Sequence, residues 1–542
     1  MQPMMKDTTQ QGRRESVDAV VVGAGFAGLY AIHRLRKLGL SVRCFETGDG
    51  VGGTWYWNCY PGARCDVESM QYSFSFDDAL QQEWVWSERY PAQAEIQRYL
   101  DHVADRFDLR KDIRFATTVA SATYDESDAT WLVVTDSGDE IRCRFCIMAT
   151  GCLSAARVPD ISGLSDFRGE WYHTGRWPKT PVSFKGKRVG VIGTGSSGIQ
   201  AIPVIAAEAA HLYVFQRTPN FSIPAWNAPL PKEAQDAWKK DYPAHREKAR
   251  NTRSGILYEY ATRGTWEVDD AERQTEYERR WQRGGANFTH CFNDLFVDKK
   301  ANDLAAEFVR QKIRSIVPDA EVARRLAPTD HAIGTKRICV DTDYYATYNR
   351  PNVTLVDLRE TPIKRIVGSG IRTSAGDYEL DTIVFATGYD AVTGALARID
   401  IRGRAGQKLS DKWVGGPRSY LGIMMAGFPN LFVITGPGSP SILTNVVVSI
   451  EQHVEWVTQC LSDMLKRGAR VIEPTEDAEN AWVEEVNKVA AGTLFPQTKS
   501  WYMGANIPGK PRVFLPYVGG FGKYREICRD VASDGYRGFM IA

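Results

Sequence analysis

The sequence predicts an α/β protein with two doubly wound dinucleotide-binding domains and a helical insertion in the second of them. The first observation is the glycine-rich turn GAGFAG at residues 23–28, which follows an apolar run at 17–22. The second is a matching turn, GTGSSG, at 193–198 after the run 187–192. The third is the charged sequence with helical periodicity between 221 and 330. Two such turns, each between a strand and a helix, favour nucleotide binding far more than one would.

Each turn is followed by a charged residue at the distance where a ribose-binding side chain is expected. Glu46 lies 23 residues after Gly23, and Arg217 lies 24 residues after Gly193. A carboxylate accepts hydrogen bonds from a free 2′-hydroxyl, whereas an arginine suits a 2′-phosphate. We therefore predict FAD in the first site and NADPH in the second. A nicotinamide nucleotide in the first site is the alternative, but it would leave no redox cofactor to receive the hydride.

The order of the elements predicts where the chain passes between the two domains. The segments 145–151 and 382–388 are apolar strands that both end in Ala-Thr-Gly, typical of crossings. We expect an FAD-binding domain from 1–152 and 390–542, with a disordered tail at 1–16. We expect an NADP-binding domain from 153–220 and 331–389, with the helical insertion at 221–330 between them. Residues 445–467 predict one long amphipathic helix, with Thr444 or Asn445 as its N-cap.

Composition excludes several classes of protein. The formal net charge is +1, so nothing favours nucleic acid or an anionic membrane as a partner. Prolines interrupt the most apolar stretch, 428–450, and we expect a cytoplasmic protein that is a monomer or a weak homo-oligomer. The ten cysteines are expected to be reduced, and no spacing indicates a metal site. Cys143 and Cys146 have CxxC spacing, as in disulfide reductases, but we expect them on opposite faces of a strand.

One segment just before the second glycine turn identifies a family. Residues 167–178 read FRGEWYHTGRWP, which matches the FxGxxxHTxxW(P/D) pattern of type I Baeyer–Villiger monooxygenases. Further segments that look like motifs of this family are GGTWYWN at 52–58, YPGARCD at 60–66, GTKR at 334–337, ATGYD at 386–390, GPGSPS at 436–441 and WYMGAN at 501–506. The resemblance covers nearly the whole chain, and it is closest to the phenylacetone and steroid monooxygenase branch.

The resemblance implies a reaction in which NADPH reduces FAD and dioxygen then forms a peroxyflavin. The peroxide attacks a ketone, and one oxygen is inserted to give an ester or a lactone. The family pattern places Arg337 as the fixed cation of this reaction and Asp66 as the carboxylate that positions it. Arginine stays charged and presents planar donors, which suits a peroxide anion and the oxyanion that follows.

The predicted cofactor-binding residues follow from the two turns and from the family motifs. For FAD they are Gly23, Gly25, Phe26, Gly28, Glu46, Gly53, Thr54, Trp55, Trp57, Arg64, Asp66, Tyr72, Val119 and Val446. For NADPH they are Gly193, Thr194, Gly195, Ser196, Ser197, Gly198, Arg217, Thr218, Lys336, Arg337 and Trp501. Arg217 and Lys336 are expected to hold the 2′-phosphate.

The resemblance also suggests residues for the substrate and for domain motion. Ser441, Ile442 and Leu443 match a segment that borders the ketone pocket in relatives. His173 and Trp177 precede the NADP-binding domain, where a structural hydrogen bond can couple its rotation to the cofactor state.

Two other functions remain open from sequence alone. A flavin monooxygenase that oxidises sulfur or nitrogen would use a protonated hydroperoxide and would not need Arg337 beside it. A protein that binds FAD and NADPH without turnover, as a redox sensor, belongs to another class altogether. The small-molecule partners that we expect are a ketone and dioxygen.

Overall fold

The computed structural model describes residues 13–542, which form strands and helices in alternation. The strands are β1 (Arg14–Val22), β2 (Val42–Phe45), β3 (Ile113–Arg114), β4 (Val119–Asp125), β5 (Thr130–Thr135), β6 (Glu140–Met148), β7 (Glu170–His173), β8 (Arg188–Ile192), β9 (His211–Gln216), β10 (Ser222–Pro224), β11 (Cys339–Asp341), β12 (Val353–Asp357), β13 (Ile363–Val367), β14 (Gly370–Thr373), β15 (Asp377–Glu379), β16 (Thr382–Phe385), β17 (Asp400–Arg402), β18 (Leu431–Val433), β19 (Ile472–Pro474) and β20 (Phe539–Ile541).

The α-helices alternate with the strands and make up most of the segment 221–330. They are α1 (Phe26–Lys37), α2 (Thr54–Trp57), α3 (Asp78–Glu83), α4 (Gln93–Arg106), α5 (Ser196–Glu208), α6 (Lys232–Lys240), α7 (Tyr242–Arg250), α8 (Asp270–Arg283), α9 (Lys299–Ile316), α10 (Ala320–Leu326), α11 (Tyr344–Thr347), α12 (Leu409–Lys412), α13 (Val446–Arg467), α14 (Glu476–Ala491) and α15 (Phe521–Ser533).

Two sheets organise the molecule. The first has the order β17-β4-β5-β6-β1-β2-β3, with β18 beside β6, and β1 is parallel to both β2 and β6. The second has the order β12-β9-β8-β16-β7, and all its pairs are parallel. Each glycine turn follows an interior strand of one sheet, β1 or β8, and leads into a helix. The predicted fold class is confirmed.

The segment 221–330 is mostly helical and packs against the second sheet. It holds α6 to α10, and one hydrophobic core joins residues of α8 and α9 to residues of β8, β9 and α5. The short strand β10 opens the segment and pairs in parallel with β11. The chain leaves the first sheet after β6 and returns to it at β17 and β18.

The beginning of the chain differs from the prediction of a disordered tail at 1–16. Residues 1–12 lie outside the described part of the chain. From Arg14 the chain is already strand β1, and Arg14 to Ser16 pair with Glu140 to Arg142 of β6. The polar side chains gave no sign of a strand, because a part of a strand that is open to water needs no apolar residues.

The prediction that Cys143 and Cys146 point to opposite faces of their strand was wrong. Both are buried in the same hydrophobic core, and the neighbouring Cys143 thiol helps raise the pKa of Cys146. Phe145 and Ile147 belong to one core, whereas Cys146 and Met148 belong to another, so alternation holds there and is broken between Cys143 and Phe145. Neither cysteine forms a disulfide in the structure.

The long helix predicted near the C-terminus is confirmed as α13. Asn445 is its N-cap, and its side chain accepts a hydrogen bond from Val447 N at 3.2 Å. The helix ends at Gly468, which adopts the left-handed conformation with φ +68°. Within residues 13–542, neither α13 nor another helix has the combined length and apolarity of a membrane span.

Candidate active site

The first glycine turn needs glycine for steric reasons. Gly23 has φ +103°, and a Cβ there would lie 2.6 Å from the Ala149 carbonyl oxygen at the end of β6. A Cβ at Gly28 would lie 1.8 Å from the Gly23 carbonyl oxygen. These contacts bring α1 close to the sheet and direct its N-terminus, the positive end of the helix dipole, at the turn.

A large cleft opens in front of this turn. It encloses about 1740 Å³ including its open mouth. The predicted residues that line it are Gly23, Gly25, Phe26, Glu46, Gly53, Thr54, Trp55, Trp57, Tyr72, Val119 and Val446. The size and the glycine edge of the cleft suit an extended dinucleotide such as FAD.

Glu46 lies at the end of β2 with both carboxylate oxygens anchored. Its Oε2 accepts a hydrogen bond from Ala24 N, and its Oε1 accepts one from Gly48 N, each at 2.8 Å. Burial raises the pKa of Glu46, while these backbone hydrogen bonds act in the opposite direction. The carboxylate is thereby fixed at the cleft wall, where its remaining lone pairs can accept hydrogen bonds from ribose hydroxyls.

Three predicted FAD residues do not line this cleft. Gly28 acts through helix packing, and Asp66 lines the neighbouring cavity. Arg64 forms an ion pair with Glu88 at 2.6 Å and donates to the Tyr90 carbonyl oxygen at 2.7 Å. Sequence reasoning missed Arg176, which does line the cleft and whose guanidinium carbon lies 5.1 Å from the Trp57 ring centroid. Its position in the segment 167–178 was the available signal.

The second glycine turn repeats this design and leaves room at one position. Gly193 has φ +110°, and a Cβ there would lie 2.4 Å from the Ala386 carbonyl oxygen. A Cβ at Gly198 would lie 2.3 Å from the Gly193 carbonyl oxygen. Gly195, just before α5, has no atom within 4 Å of its Cβ position. Open space above a helix N-terminus fits the close approach of a pyrophosphate, so the turn fits a dinucleotide.

Arg217 and Lys336 lie close together although the chain separates them widely. The pKa of Lys336 is lowered chiefly by burial; Asp330, 3.8 Å from its Nζ, opposes this, and the charge of Arg217 adds to it. Two neighbouring cations of this kind are suited to a phosphate dianion. The carbonyl oxygen of Thr218 accepts a hydrogen bond from Thr194 Oγ1 at 3.0 Å, which fixes the turn to β9.

The side chains of the other two residues in the second turn make contacts within the protein. Ser196 Oγ lies 3.5 Å from Cys339 Sγ, and Ser197 Oγ accepts a hydrogen bond from Thr174 Oγ1 at 3.2 Å. Thr174 directly follows His173, so the turn contacts the family segment.

Asp66 and Arg337 form a bidentate ion pair. Arg337 Nε donates to Asp66 Oδ2 at 2.6 Å, and Nη2 donates to Oδ1 at 2.7 Å. Nη1 donates to the Ile442 carbonyl oxygen at 3.1 Å. Burial would raise the pKa of Asp66, but the charge and hydrogen bonds of Arg337 outweigh it and lower the pKa. Asp66 in turn raises the pKa of Arg337, so both stay charged.

This pair lies in the wall of a second cavity, which encloses about 830 Å³ including its open mouth. Much of the remaining wall is aromatic or apolar and includes Tyr258, Phe296, Phe495 and Tyr502. Burial raises the pKa of Tyr502 to about 12 against the opposing charge of Arg337, so this hydroxyl stays protonated. The cavity is suited to a small, largely apolar molecule next to a fixed cation.

Of the three residues predicted for the substrate pocket, only Leu443 lines this cavity. The structure differs from the prediction at the other two. Ser441 is buried, and its Oγ lies 2.9 Å from Ser439 Oγ. The Ile442 side chain packs into the hydrophobic core behind the cavity wall, which also contains Phe495 and Tyr502, while its carbonyl oxygen accepts the hydrogen bond from Arg337. The 3₁₀ turn at 441–443 directs consecutive side chains to different sides, which a linear motif cannot reveal.

His173 lies at the end of β7 and connects three segments. Its Nδ1 accepts a hydrogen bond from Gly175 N at 3.0 Å, so Nε2 is the donor to the Arg157 carbonyl oxygen at 3.1 Å. Thr387 Oγ1 donates to the same oxygen at 2.7 Å. Burial lowers the pKa of His173, so the ring is neutral near pH 7. The Arg157 carbonyl oxygen thus connects His173, where the chain enters the second domain, with Thr387, where the chain leaves it.

Trp177 and Trp501 both pack against other aromatic rings. Trp177 is buried in the core of the second domain, 5.2 Å from the Tyr172 ring centroid. Trp501 is half-buried, with its ring centroid 4.4 Å from that of Tyr502. Trp501 does not line the cavity of the ion pair, whereas Tyr502 does.

The two turns, the FAD-type cleft and the cavity with its fixed cation define a flavin- and NADP-dependent oxidoreductase. A family model described as flavin-binding monooxygenase-like matches residues 17–225. A Baeyer–Villiger monooxygenase of Pseudooceanicola batsensis is 42% identical over 96% of this chain and 95% of its own length. A phenazine N-monooxygenase of Lysobacter antibioticus is 43% identical over 97% of both chains.

The fold leads to the same family. The structure of an oxidised steroid monooxygenase bound to NADP superposes with a TM-score of 0.93, at 53% identity over 97% of this chain and 99% of that one. The chain belongs to the Baeyer–Villiger monooxygenase family, and its cofactors are FAD and NADPH. The sequence resemblance, including the likeness to the steroid monooxygenase branch, is confirmed.

Proposed function

We propose that this flavoenzyme uses NADPH and dioxygen to insert one oxygen beside the carbonyl of a small ketone, which yields an ester or a lactone. The observation that carries the proposal is the Asp66–Arg337 pair in the wall of an apolar cavity. A cation in this place suits a reaction in which negative charge develops on a bound carbonyl oxygen.

The division of labour between domains follows from the two turns. Residues 1–152 and 390–542 would hold FAD, with Glu46 at the ribose. Residues 153–220 and 331–389 would hold NADPH, with Arg217 and Lys336 at the 2′-phosphate, and the insertion 221–330 supplies part of the cavity wall. When bound, FAD takes a hydride from NADPH and delivers an oxygen atom from dioxygen to the substrate.

Arg337 is the residue that would contact the reacting atoms. Its Nε, one N–H of Nη2 and one N–H of Nη1 are used within the protein, which leaves one donor on each terminal nitrogen. These donors can polarise the ketone oxygen and stabilise the negative charge that forms there on attack. Since arginine does not give up its proton, it stabilises an anion without protonating it.

Asp66 would be a positioning residue. It fixes the plane of the guanidinium through two hydrogen bonds, and its own charge keeps the pair neutral as a whole. The ion pair thereby presents a directed donor without adding net charge to the apolar cavity.

The test is product analysis by gas chromatography with mass detection. Purified holoenzyme is incubated with NADPH, air and a panel of phenylacetone, cyclic ketones and one thioether. We expect esters or lactones one oxygen heavier than the ketones. In Arg337→Ala we expect flavin reduction by NADPH to persist while ester formation is lost by a factor of about 10² to 10³. Full ketone oxidation by this variant would refute the mechanism.

Oxidation of nitrogen is a second candidate, since a relative named as a phenazine N-monooxygenase is as similar as those named for ketones. An N-heteroaromatic compound in the same panel separates the two activities. An N-oxide formed equally by wild type and Arg337→Ala, without ester from any ketone, would favour the second candidate, because an electrophilic oxygen transfer does not need this cation.

A further inference from the structure

The cavity of the ion pair contains a second arginine that the proposed reaction does not use. Arg253 follows α7 in the loop 251–257 and lines the cavity. Arg253 is accessible to solvent, although protein lies around most of its guanidinium. A side chain at the mouth of a cavity combines these two properties. Its position therefore lets a molecule in the cavity reach the guanidinium from the inside.

The backbone of Arg253 is hydrogen-bonded, and its guanidinium contacts an aromatic ring. Its carbonyl oxygen accepts a hydrogen bond from Phe521 N at 2.8 Å. Its guanidinium carbon lies 5.5 Å from the Phe296 ring centroid, and Phe296 stacks on Phe495 at 5.5 Å. A cation–π contact leaves the edge of the guanidinium, where its donors are, free for a ligand.

Within residues 13–542, no carboxylate neutralises this arginine. Burial lowers its pKa, and the only opposing influence comes from the Tyr260 hydroxyl. The one carboxylate in the cavity wall, Asp66, already uses both oxygens for Arg337. His290, also in the wall, is neutral because burial and the charge of Arg253 lower its pKa to about 3. The cavity therefore has a net charge of about one positive unit, located at Arg253.

We propose that Arg253 selects ketones that carry a carboxylate remote from the carbonyl group. This inference rests on the proposed function, because it assigns Arg337 to the carbonyl end of the substrate and Arg253 to the other end. A planar guanidinium matches a carboxylate in a bidentate geometry, and a carboxylate is ionised at neutral pH. The aromatic wall between the two cations would contact the carbon chain.

The experiment compares keto acids with their methyl esters, which differ in charge but little in shape. The substrates are 4-oxopentanoate, 5-oxohexanoate, 6-oxoheptanoate and 7-oxooctanoate, each beside its methyl ester. The readout is the ratio of kcat/KM for acid and ester, measured from product formed. In the wild-type holoenzyme we expect the ratio to exceed one at the chain length that spans both arginines, and to fall as salt is raised towards about 1 M, where the Debye length is about 3 Å.

Arg253→Gln should lower that ratio about tenfold, and Arg253→Lys should restore part of it as a point charge without the planar fork. Arg98→Gln removes the same charge from an exposed position on α4 and serves as the control, with the wild-type ratio expected. A ratio at or below one for every length in the wild type would overturn the inference. So would a ratio that Arg253→Gln leaves unchanged while the KM for NADPH rises, since Arg253 would then serve the cofactor.

A binding measurement separates this inference from the proposed function. The oxidised holoenzyme, saturated with NADP⁺, is titrated with each keto acid and ester, and the flavin absorbance change gives the Kd. If no ketone yields an ester but keto acids bind and lose about tenfold in affinity in Arg253→Gln, the proposed function fails and the inference stands. If esters form from neutral ketones but acids bind no better than esters, the inference fails and the proposed function stands.

Discussion

At the scale of single residues, Arg217 and Lys336 should decide between the two nicotinamide cofactors. Arg217 precedes Thr218, whose carbonyl oxygen contacts the second nucleotide turn, and its charge helps lower the pKa of Lys336. Arg217→Ala should therefore raise the KM for NADPH severalfold, while the KM for NADH, which lacks the 2′-phosphate, changes little. Steady-state kinetics with both cofactors test this, and an unchanged preference for NADPH over NADH would refute the assignment.

The lowered pKa of Lys336 predicts a pH dependence. Because burial and Arg217 disfavour its charged form, Lys336 loses its proton at a lower pH than an exposed lysine does. The KM for NADPH should thus rise with pH, whereas that for NADH should stay flat. In Arg217→Ala one repulsive charge is gone, so the rise should begin at a higher pH than in the wild type. A rise at the same pH in both proteins would show that another group is titrating.

Asp66 provides a third test at this scale. Asp66→Asn keeps the shape of the side chain but removes the charge and one of the two acceptors that hold Arg337. We expect flavin reduction by NADPH to continue and ester formation to fall roughly tenfold to a hundredfold, with hydrogen peroxide released instead. The amount of ester per NADPH consumed measures this. Coupling as tight as in the wild type would remove Asp66 from its positioning role.

The residues that the sequence could predict are those fixed by local geometry. Gly23 and Gly193 need a positive φ next to a neighbouring strand, and Glu46 follows its strand at a known distance, so linear patterns suffice. Ile442 could not be placed, because a 3₁₀ turn directs its side chain away and its carbonyl oxygen to Arg337. Arg253 was missed because its significance depends on partners it lacks, which no motif encodes.

At the scale of secondary-structure elements, the start of α5 offers a matched pair of variants. A Cβ at Gly195 meets open space, so Gly195→Ala should fold normally but obstruct the pyrophosphate and raise the KM for NADPH. A Cβ at Gly198 would lie 2.3 Å from the Gly193 carbonyl oxygen, so Gly198→Ala should lower the Tm as well. Thermal melting and NADPH kinetics are measured together. Normal NADPH kinetics in Gly195→Ala would show that the cofactor does not approach this turn.

The elements themselves show where periodicity is a sufficient guide. The helical pattern of α13 predicted a helix of nearly the observed length, although Val447 to Glu451 are all buried and its exposed residues are Gln459 and Leu465 to Arg467. In β6 the prediction failed because the alternation of side chains is broken between Cys143 and Phe145, a local irregularity that the sequence does not reveal. The polar start of β1 escaped prediction because hydrogen bonding to β6, and not burial, makes it a strand.

At the scale of the whole molecule, the active site depends on contacts between the two dinucleotide-binding domains. The cavity is lined by residues as far apart in sequence as Asp66, Arg253, Arg337 and Tyr502. The sequence predicts the domains to which these segments belong, but no local pattern predicts that the segments meet at one cavity. Gln200 of α5 contributes one such contact. Its Oε1 accepts a hydrogen bond from Tyr60 Oη at 2.8 Å, and its Nε2 donates to the Arg64 carbonyl oxygen at 3.1 Å.

This contact joins the NADP-binding helix to the segment that leads into Asp66, two residues beyond Arg64. We expect Gln200→Ala to lower the yield of ester per NADPH consumed, because the position of Asp66 then depends less on the NADP-binding domain. Asn352→Ala is the control, since Asn352 donates to the Ala206 and Ala209 carbonyl oxygens, both at 3.0 Å, at the other end of the same helix and within one domain. Each variant loses hydrogen bonds worth about 0.5–1.5 kcal/mol apiece, so their Tm values should fall by similar amounts. If coupling falls equally in both, general destabilisation explains it; if it falls only in Gln200→Ala, the domain contact transmits the cofactor state to the catalytic ion pair.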